Sequence, residues 1–278
     1  MSTKKQNIAG HFDAEAVRYD RAYDAPGTIG RGLRRRQLAA LNLLGDGPGR
    51  LLDAGLGPGR LCEEARRRHW SVVGVDISDQ MVALARERLG DVDASLLLAS
   101  VEQLPFAERT FDAVVALGVF GHVPGIDAFL DEVHRLLRTN GRLIVSVQNV
   151  GSIRFQWFSA IWYPAMRLVK KRIRTSRPAP LRASGPVKLS DLNDMLAQRG
   201  LAVGAVSYVG FGFVTPRASA EPGPPDSERQ MPGQVGGRCG PLRKLLATAI
   251  VVSAVRRSPD DLAGATSGFE GEGFPEPS

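Results

Sequence analysis

The chain has 278 residues, 43% of them hydrophobic, which is room for one large α/β domain with extras or at most two small ones. Lys and Arg number 36 against 29 acidic residues, a formal charge of +7 and an isoelectric point near 9.8, favouring anionic partners such as a membrane surface, nucleic acid or an acidic metabolite. Two cysteines, Cys62 and Cys239, exclude a disulfide framework and suit a reducing compartment. The opening Met1-Ser2-Thr3-Lys4-Lys5-Gln6-Asn7 leads into no apolar signal core, and no apolar run is long enough to span a bilayer, so the expected location is cytoplasmic.

In chain order, residues 1–10 are expected to form a flexible N-terminus. From about Phe12 to Leu43 the pattern reads as helical cover with polar breaks, in which Phe12, Ala16 and Tyr19 make a packing stripe. Strands and helices then alternate: strands over Arg50–Asp53, Ser71–Asp76, Ala94–Leu98, Phe111–Leu117 and Gly141–Gln148, helices over Arg60–Arg68, Gln80–Leu89 and Ile126–Leu137. This is the pattern of a doubly wound parallel sheet. Asn140-Gly141 is expected as a left-handed cap closing the third of those helices, and Ser190 as the N-cap of another helix reaching Arg199-Gly200. Leu201–Phe213 and Ala249–Val255 read as sixth and seventh strands. Between them, 215–241 is a Pro- and Gly-rich loop, and the acidic tail 258–278 is expected to be disordered.

Chemistry concentrates at Leu51-Leu52-Asp53-Ala54-Gly55-Leu56-Gly57-Pro58-Gly59-Arg60. An apolar run enters a glycine-rich turn, where Gly55, Gly57 and Gly59 let the backbone approach a ligand that any Cβ would strike. A second apolar strand ends in Asp76, where a carboxylate accepts from ribose hydroxyls. A dinucleotide fold would need its third glycine at position 60, which is Arg60. The spacing is D-x-G-x-G-x-G instead.

That spacing resembles the class I S-adenosylmethionine-dependent methyltransferases, with Asp53, Gly55, Gly57 and Gly59 matching their first motif and Asp76 their ribose-binding acid. Further on, Ala99-Ser100-Val101-Glu102-Gln103-Leu104-Pro105-Phe106 and Phe111-Asp112-Ala113-Val114 resemble the G-D-A-E-x-L-P-F and F-D-x-V segments of the quinone and lipid branch. Phe12-Asp13 with Ala16 and Tyr19-Asp20 resembles that branch's F-D-x-x-A-x-x-Y-D opening. The resemblance implies an α/β, Rossmann-like, seven-stranded sheet with an antiparallel last strand over 11–257. It implies S-adenosylmethionine as cofactor and methyl transfer to a small-molecule or lipid-like acceptor. The cofactor set it implies also holds Ile77 and Met81 after Asp76, then Ser100, Val101 and Glu102 near the adenine, and the Leu117 carbonyl. Tyr19 would line the pocket. Ser100 stands where the family usually has Asp, so a hydroxyl replaces a charge-assisted acceptor. That departure keeps open a binding module without transfer activity.

In Gly118-Val119-Phe120-Gly121-His122-Val123, His122 matches the family's L-x-H-V histidine, either a general base or a packing residue. His11, His69 and His134 share no ligand spacing with it, so no metal is expected. The insertion 151–186 carries Trp157 and Trp162 and runs into Lys170-Lys171-Arg172. Within it, 155–174 reads equally as a lid on the acceptor pocket or as a peripheral membrane contact, with RNA third. A membrane-associated partner protein is the remaining alternative. The missing [N/D]-P-P-[Y/F] tetrad and the position of Cys62 argue against a nucleic-acid acceptor.

Overall fold

The structure is a computed structural model describing residues 2–90, 95–157, 159–160, 185–211 and 241–258. Two helices, α1 (Thr3–Asp24) and α2 (Thr28–Leu44), precede β1 (Gly49–Ala54), α3 (Arg60–Arg67), β2 (Trp70–Asp76), α4 (Asp79–Leu89), β3 (Ser95–Leu98) and β4 (Phe111–Leu117). There follow α5 (Ile126–Leu136), β5 (Leu137–Gln148), α6 (Ile153–Trp157), α7 (Leu189–Ala197), β6 (Leu201–Phe211), α8 (Pro241–Leu246) and β7 (Ala247–Arg256). The strands form one sheet in the order β3-β2-β1-β4-β5-β7-β6. β7 runs antiparallel to both its neighbours and the other pairs are parallel. This is the doubly wound sheet expected of the alternating pattern.

The apolar runs of β1, β2 and β4 lack polar alternation because both faces of the sheet are covered. Leu52, Val73, Val114 and Leu143 point to one face, where α5 adds Phe129, Leu130 and Val133 and α7 adds Leu192 and Leu196. Leu51, Val72, Ala113, Val115 and Ile144 point to the other, against Leu41 and Leu44 of α2, Cys62 and Ala65 of α3 and Val82 and Ala85 of α4. Local signals set the ends of the helices. Ser78 caps α4, its hydroxyl accepting from the Met81 amide. Gly45 follows α2 at φ +74 with its N–H on the Leu41 carbonyl.

Several boundaries differ from the sequence reading. Residues 3–10 are not a flexible arm: they open α1, because Ile8 is buried and Lys5 pairs with Glu102. Asn140 is left-handed at φ +63 but does not cap α5, which closes at Leu137. It sits within β5, where the register against β4 slips between the Phe111↔Leu137 and Ala113↔Arg142 pairs. Ser190 lies inside α7, whose N-cap is Lys188; its hydroxyl meets Asp191 instead. Pro241, assigned to the Pro-rich loop, is the first residue of α8, where its fixed φ and missing N–H cost nothing. The rest of that loop (215–240), residues 212–213, Trp162 and most of the 151–186 insertion, and the tail from 259 lie outside the described residues.

Candidate active site

The parallel strands end at one edge, and β1 and β4 are adjacent there although the chain leaves β1 in one direction and β4 in the other. Such a reversal opens a crevice at the carboxyl ends of the strands. A cavity of about 240 Å³ occupies it. Its walls include Gly55 and Gly57 after β1, Asp76, Ile77 and Met81 at the β2–α4 junction, Ser100, Val101 and Glu102 after β3, and Leu117 at the end of β4 with Gly118 and His122 beyond it. The segments that follow four separate strands thus deliver most of the cofactor residues expected from the sequence to one place.

Asp76 is held rigidly. Its Oδ2 accepts from the Gly57 amide at 2.9 Å and its Oδ1 from the Ser78 amide at 2.9 Å. It is 8% exposed, and burial raises its pKa above the ordinary carboxylate value despite those amides. The Ile77 amide also donates to this carboxylate, which faces the cavity. The turn between them depends on Gly55, whose φ is +86 and where a Cβ would lie 2.5 Å from the Val119 methyl. No side chain fits there without displacing the wall opposite.

The α1 helix forms the roof. Lys5, Ile8, Phe12 and Tyr19 face the cavity. Asp13 accepts from the Ser78 hydroxyl at 2.6 Å and the Gln80 amide at 3.3 Å, setting an anion at the positive end of α4. Asp20 accepts from Arg60 Nε at 2.7 Å and Arg88 Nη2 at 2.8 Å, tying the roof to α3 and α4. Tyr19 therefore lines the pocket as the opening motif implied, and Phe12 meets His122 edge-on at 4.9 Å.

At the Ser100 wall, the hydroxyl donates to Glu102 Oε2 at 3.2 Å. Glu102 also accepts from the Gly125 amide at 2.7 Å and pairs with Lys5. A carboxylate is thus present beside the position where the family usually has one, two residues further along and already bonded on three sides.

Three expected residues are not brought to the cavity. Asp53 is 2% exposed beneath the turn, where its Oδ2 accepts from the Cys62 thiol at 3.2 Å and burial pushes its pKa up to about 7. Gly59 packs the start of α3 onto α4: a Cβ there would meet the Ala85 Cβ at 2.9 Å. Trp157 in α6 is 46% exposed and lines neither this cavity nor the next. Trp162 lies outside the described residues.

A second cavity of about 280 Å³ adjoins the first and shares Arg36, Gly118 and His122 with it. Ser146, Gln148 and Thr248 add polar groups, and Gly185–Val187 close one side. The sequence reading passed over Arg36, which is the last of the run Arg34-Arg35-Arg36. Nothing in that run marks which arginine turns inward; only the phase of α2 decides it.

Residues 52–145 match the family model described as a methyltransferase domain. The ubiquinone/menaquinone biosynthesis C-methyltransferase of Citrifermentans bemidjiense is 29% identical over 153 residues, covering 52% of this chain and 64% of the relative. The chain thus spans somewhat under two thirds of that relative's length. A solved structure described as a possible histamine N-methyltransferase from Thermotoga maritima aligns with a TM-score of 0.62 at 18% identity, covering 90% of this chain and 100% of that one. Magnesium protoporphyrin IX methyltransferase from Synechocystis, solved with bound S-adenosylhomocysteine, aligns with a TM-score of 0.58 at 17% identity, covering 92% and 100%. Residues 52–145 thus carry a sequence similar to the methyltransferase-domain family, on a fold like that of solved S-adenosylmethionine-dependent methyltransferases.

Proposed function

We propose that the chain transfers a methyl group from S-adenosylmethionine to a small-molecule or lipid-like acceptor at an oxygen, a carbon or a simple amine. The observation that carries this reading is the single cavity in which Gly55, Gly57, Asp76, Ser100, Val101 and Leu117 converge beneath α1. The residues fit the cofactor: Gly55 leaves a cradle that a Cβ would fill, and Asp76 presents fixed acceptors to a ribose. When bound, the cofactor supplies an electrophilic methyl on a sulfonium. The chain's own work is then positional. Asp76 fixes the nucleoside, while Ile8, Phe12 and Tyr19 of the roof exclude water. His122, on the border of the two cavities, takes a proton from the acceptor where the acceptor must lose one. The named quinone methyltransferase among the relatives supports a small acceptor of that type.

Titration of purified protein with adenosylhomocysteine by calorimetry tests the pocket, and incubation of cell extract with methyl-labelled cofactor identifies the acceptor. Saturable nucleoside binding together with label in a small molecule or lipid supports the reading. Folded protein that ignores millimolar adenosylhomocysteine sinks it. Binding without transfer would leave a cofactor-binding module.

Peripheral membrane contact through 155–174 is a compatible second feature. It is favoured by α6, which turns Ile153 and Trp157 outward at 47% and 46% exposure just before the basic run. Among the described residues no helix is long and apolar enough to cross a membrane. Co-sedimentation with phosphatidylglycerol vesicles, weakened in Trp157→Ala and absent with phosphatidylcholine, is the expected result. Equal recovery with and without vesicles would remove the membrane from the account.

A further inference from the structure

The large apolar side chains that stand exposed among the described residues gather, Leu38 excepted, at one edge of the molecule. Leu98 ends β3 in register with Asp76, at the carboxyl ends of the parallel strands. Ile153 and Trp157 follow β5 on α6, and Leu245 precedes β7, whose Ala249 pairs with Gln148 at the end of β5. α1 crosses the same edge: Lys5 meets Glu102 after β3, Asp13 the start of α4 and Asp20 the start of α3. Val17 stands on the outside of this roof, and Ile29, 73% exposed, opens α2 just beyond it. The opposite edge exposes charge instead, with Asp46, Glu108, Arg138 and Arg257 among its side chains.

Charge follows the same division. The carboxylates of α1 are taken up at close range, Asp13 by Ser78, Glu15 by Arg18, Asp20 by Arg60 and Arg88, and Asp24 by Arg60. Lys4 and Arg21 of α1, Arg31 of α2, Lys188 before α7 and Lys244 of α8 are exposed, and among the described residues no carboxylate pairs with them. The other exposed acids of this edge, Asp79, Asp127 and Asp191, lie in the first turns of α4, α5 and α7, where the helix N-termini offset them. Asp127 is also paired with Arg199. Single apolar side chains drawn from α1, α2, β3, α6 and α8 make no contiguous core of the kind a protein interface needs. Spread among unpaired cations, they suit the headgroup layer of an anionic bilayer, which has no fixed shape to match.

We propose that the carboxyl edge of the sheet is a membrane-docking face, on which α1, the start of α2, α6 and α8 rest together on an anionic lipid surface with the roof toward the bilayer. This goes beyond contact through 155–174, which becomes one part of a broader face. The second cavity, whose walls include Gln148 just before α6 and Thr248 just after α8, then opens beside the lipid. Entry of the acceptor from the bilayer is a consequence that rests on the methyltransferase reading; the docking face itself does not.

The test is co-sedimentation of the full chain with phosphatidylglycerol and with phosphatidylcholine vesicles, beside Val17→Glu, Ile29→Glu and Leu38→Glu, each checked for an unchanged melting temperature. Val17→Glu and Ile29→Glu should each lower partitioning onto phosphatidylglycerol at least about fivefold, by removing an apolar anchor and adding an anion. Leu38→Glu adds the same charge about 13 Å along α2 from Ile29, off the face, and should change partitioning by less than about twofold. Equal loss in all three variants would be an effect of net charge alone and overturns the proposal. So does an unaltered chain that ignores the vesicles, or that binds phosphatidylcholine as well as phosphatidylglycerol. If Trp157→Ala abolishes binding while Val17→Glu and Ile29→Glu leave it intact, contact is confined to 155–174 and the broader face falls. If the unaltered chain ignores vesicles but sediments as a dimer that Ile29→Glu dissociates, the edge joins two copies instead. Vesicle binding with the expected variant pattern in a chain that ignores adenosylhomocysteine would keep the docking face and remove the methyltransferase reading.

Discussion

Asp53 and Asp76 end neighbouring parallel strands and look equivalent in sequence, yet their surroundings set them apart. Asp76 keeps backbone amide donors and a face on the cavity, while Asp53 has a thiol and apolar walls. Ribose hydroxyls donating to Asp76 favour its ionised form, so adenosylhomocysteine binding should release a proton wherever the raised pKa leaves the free carboxyl partly protonated. Affinity should therefore fall as the pH drops through the raised pKa. Calorimetry in two buffers of different ionisation heat reads the proton directly. Asp76→Asn should abolish the release and weaken binding roughly ten- to a hundredfold; an unchanged affinity would remove Asp76 from the ribose site. Asp53 carries a stability effect instead. Its folded pKa of about 7 lies above the ordinary carboxylate value, so the folded chain holds a proton that the unfolded chain loses between about pH 4 and 7. The sign follows: the contribution is fully present below the unfolded value and is lost as pH rises through the folded one, about 4 kcal/mol over the window. Asp53→Asn should flatten the fall in denaturation midpoint between pH 5 and 8. A parallel fall in both proteins would show that Asp53 is ionised in the folded chain.

At the scale of elements, α1 decides whether the cavity is a pocket or an open shelf. Its ties are ionic and differ in exposure. Asp20 is half-buried between Arg60 and Arg88, whereas Asp24 is 70% exposed and pairs with Arg60 alone. Exposed pairs add under about 1 kcal/mol, so neither change should unfold the protein. Asp20→Ala should nevertheless speed adenosylhomocysteine release several-fold in stopped-flow measurements, and Asp24→Ala should leave it unchanged. Equal effects from the two would mean that the roof is not latched at Asp20. The same helix shows what could be read from the residues and what could not. Apolar runs ending in Gly or Asp gave β1, β2 and β4 within a residue, because burial on both faces leaves a continuous pattern. Most of the cavity wall followed from the motifs after those strands. Residues 3–10 escaped because their helix is justified by contacts across the fold, Ile8 in the cavity and Lys5 on Glu102, not by a local stripe. Asn140 was read for its left-handed backbone but placed at a helix end, since a slip in strand register leaves no mark in one strand alone. Arg36 was hidden for a related reason: which of three arginines faces inward depends on how α2 lies on the sheet.

Across the whole molecule, the cavity draws on α1, the β1, β2 and β4 ends and the turn after β3, so a bound nucleoside touches both halves of the sheet at the reversal between β1 and β4. A ligand held at only one of these elements would stabilise a local unit; one that bridges them all should raise a single cooperative transition. At a hundred times its dissociation constant, a ligand that binds only the folded state adds about 2.7 kcal/mol. For a domain of this size that corresponds to a rise of roughly 5–10 °C in melting temperature. Adenosylhomocysteine should produce such a shift in a single transition, with the increment growing as the logarithm of its concentration. Adenosine, which lacks the methionine arm along the Gly55–Gly57 turn, should give a smaller shift, and Asp76→Ala should remove most of both. Two transitions of which only one moves would show that α1 and the strand ends are not one cooperative body, and that the roof folds apart from the sheet it covers.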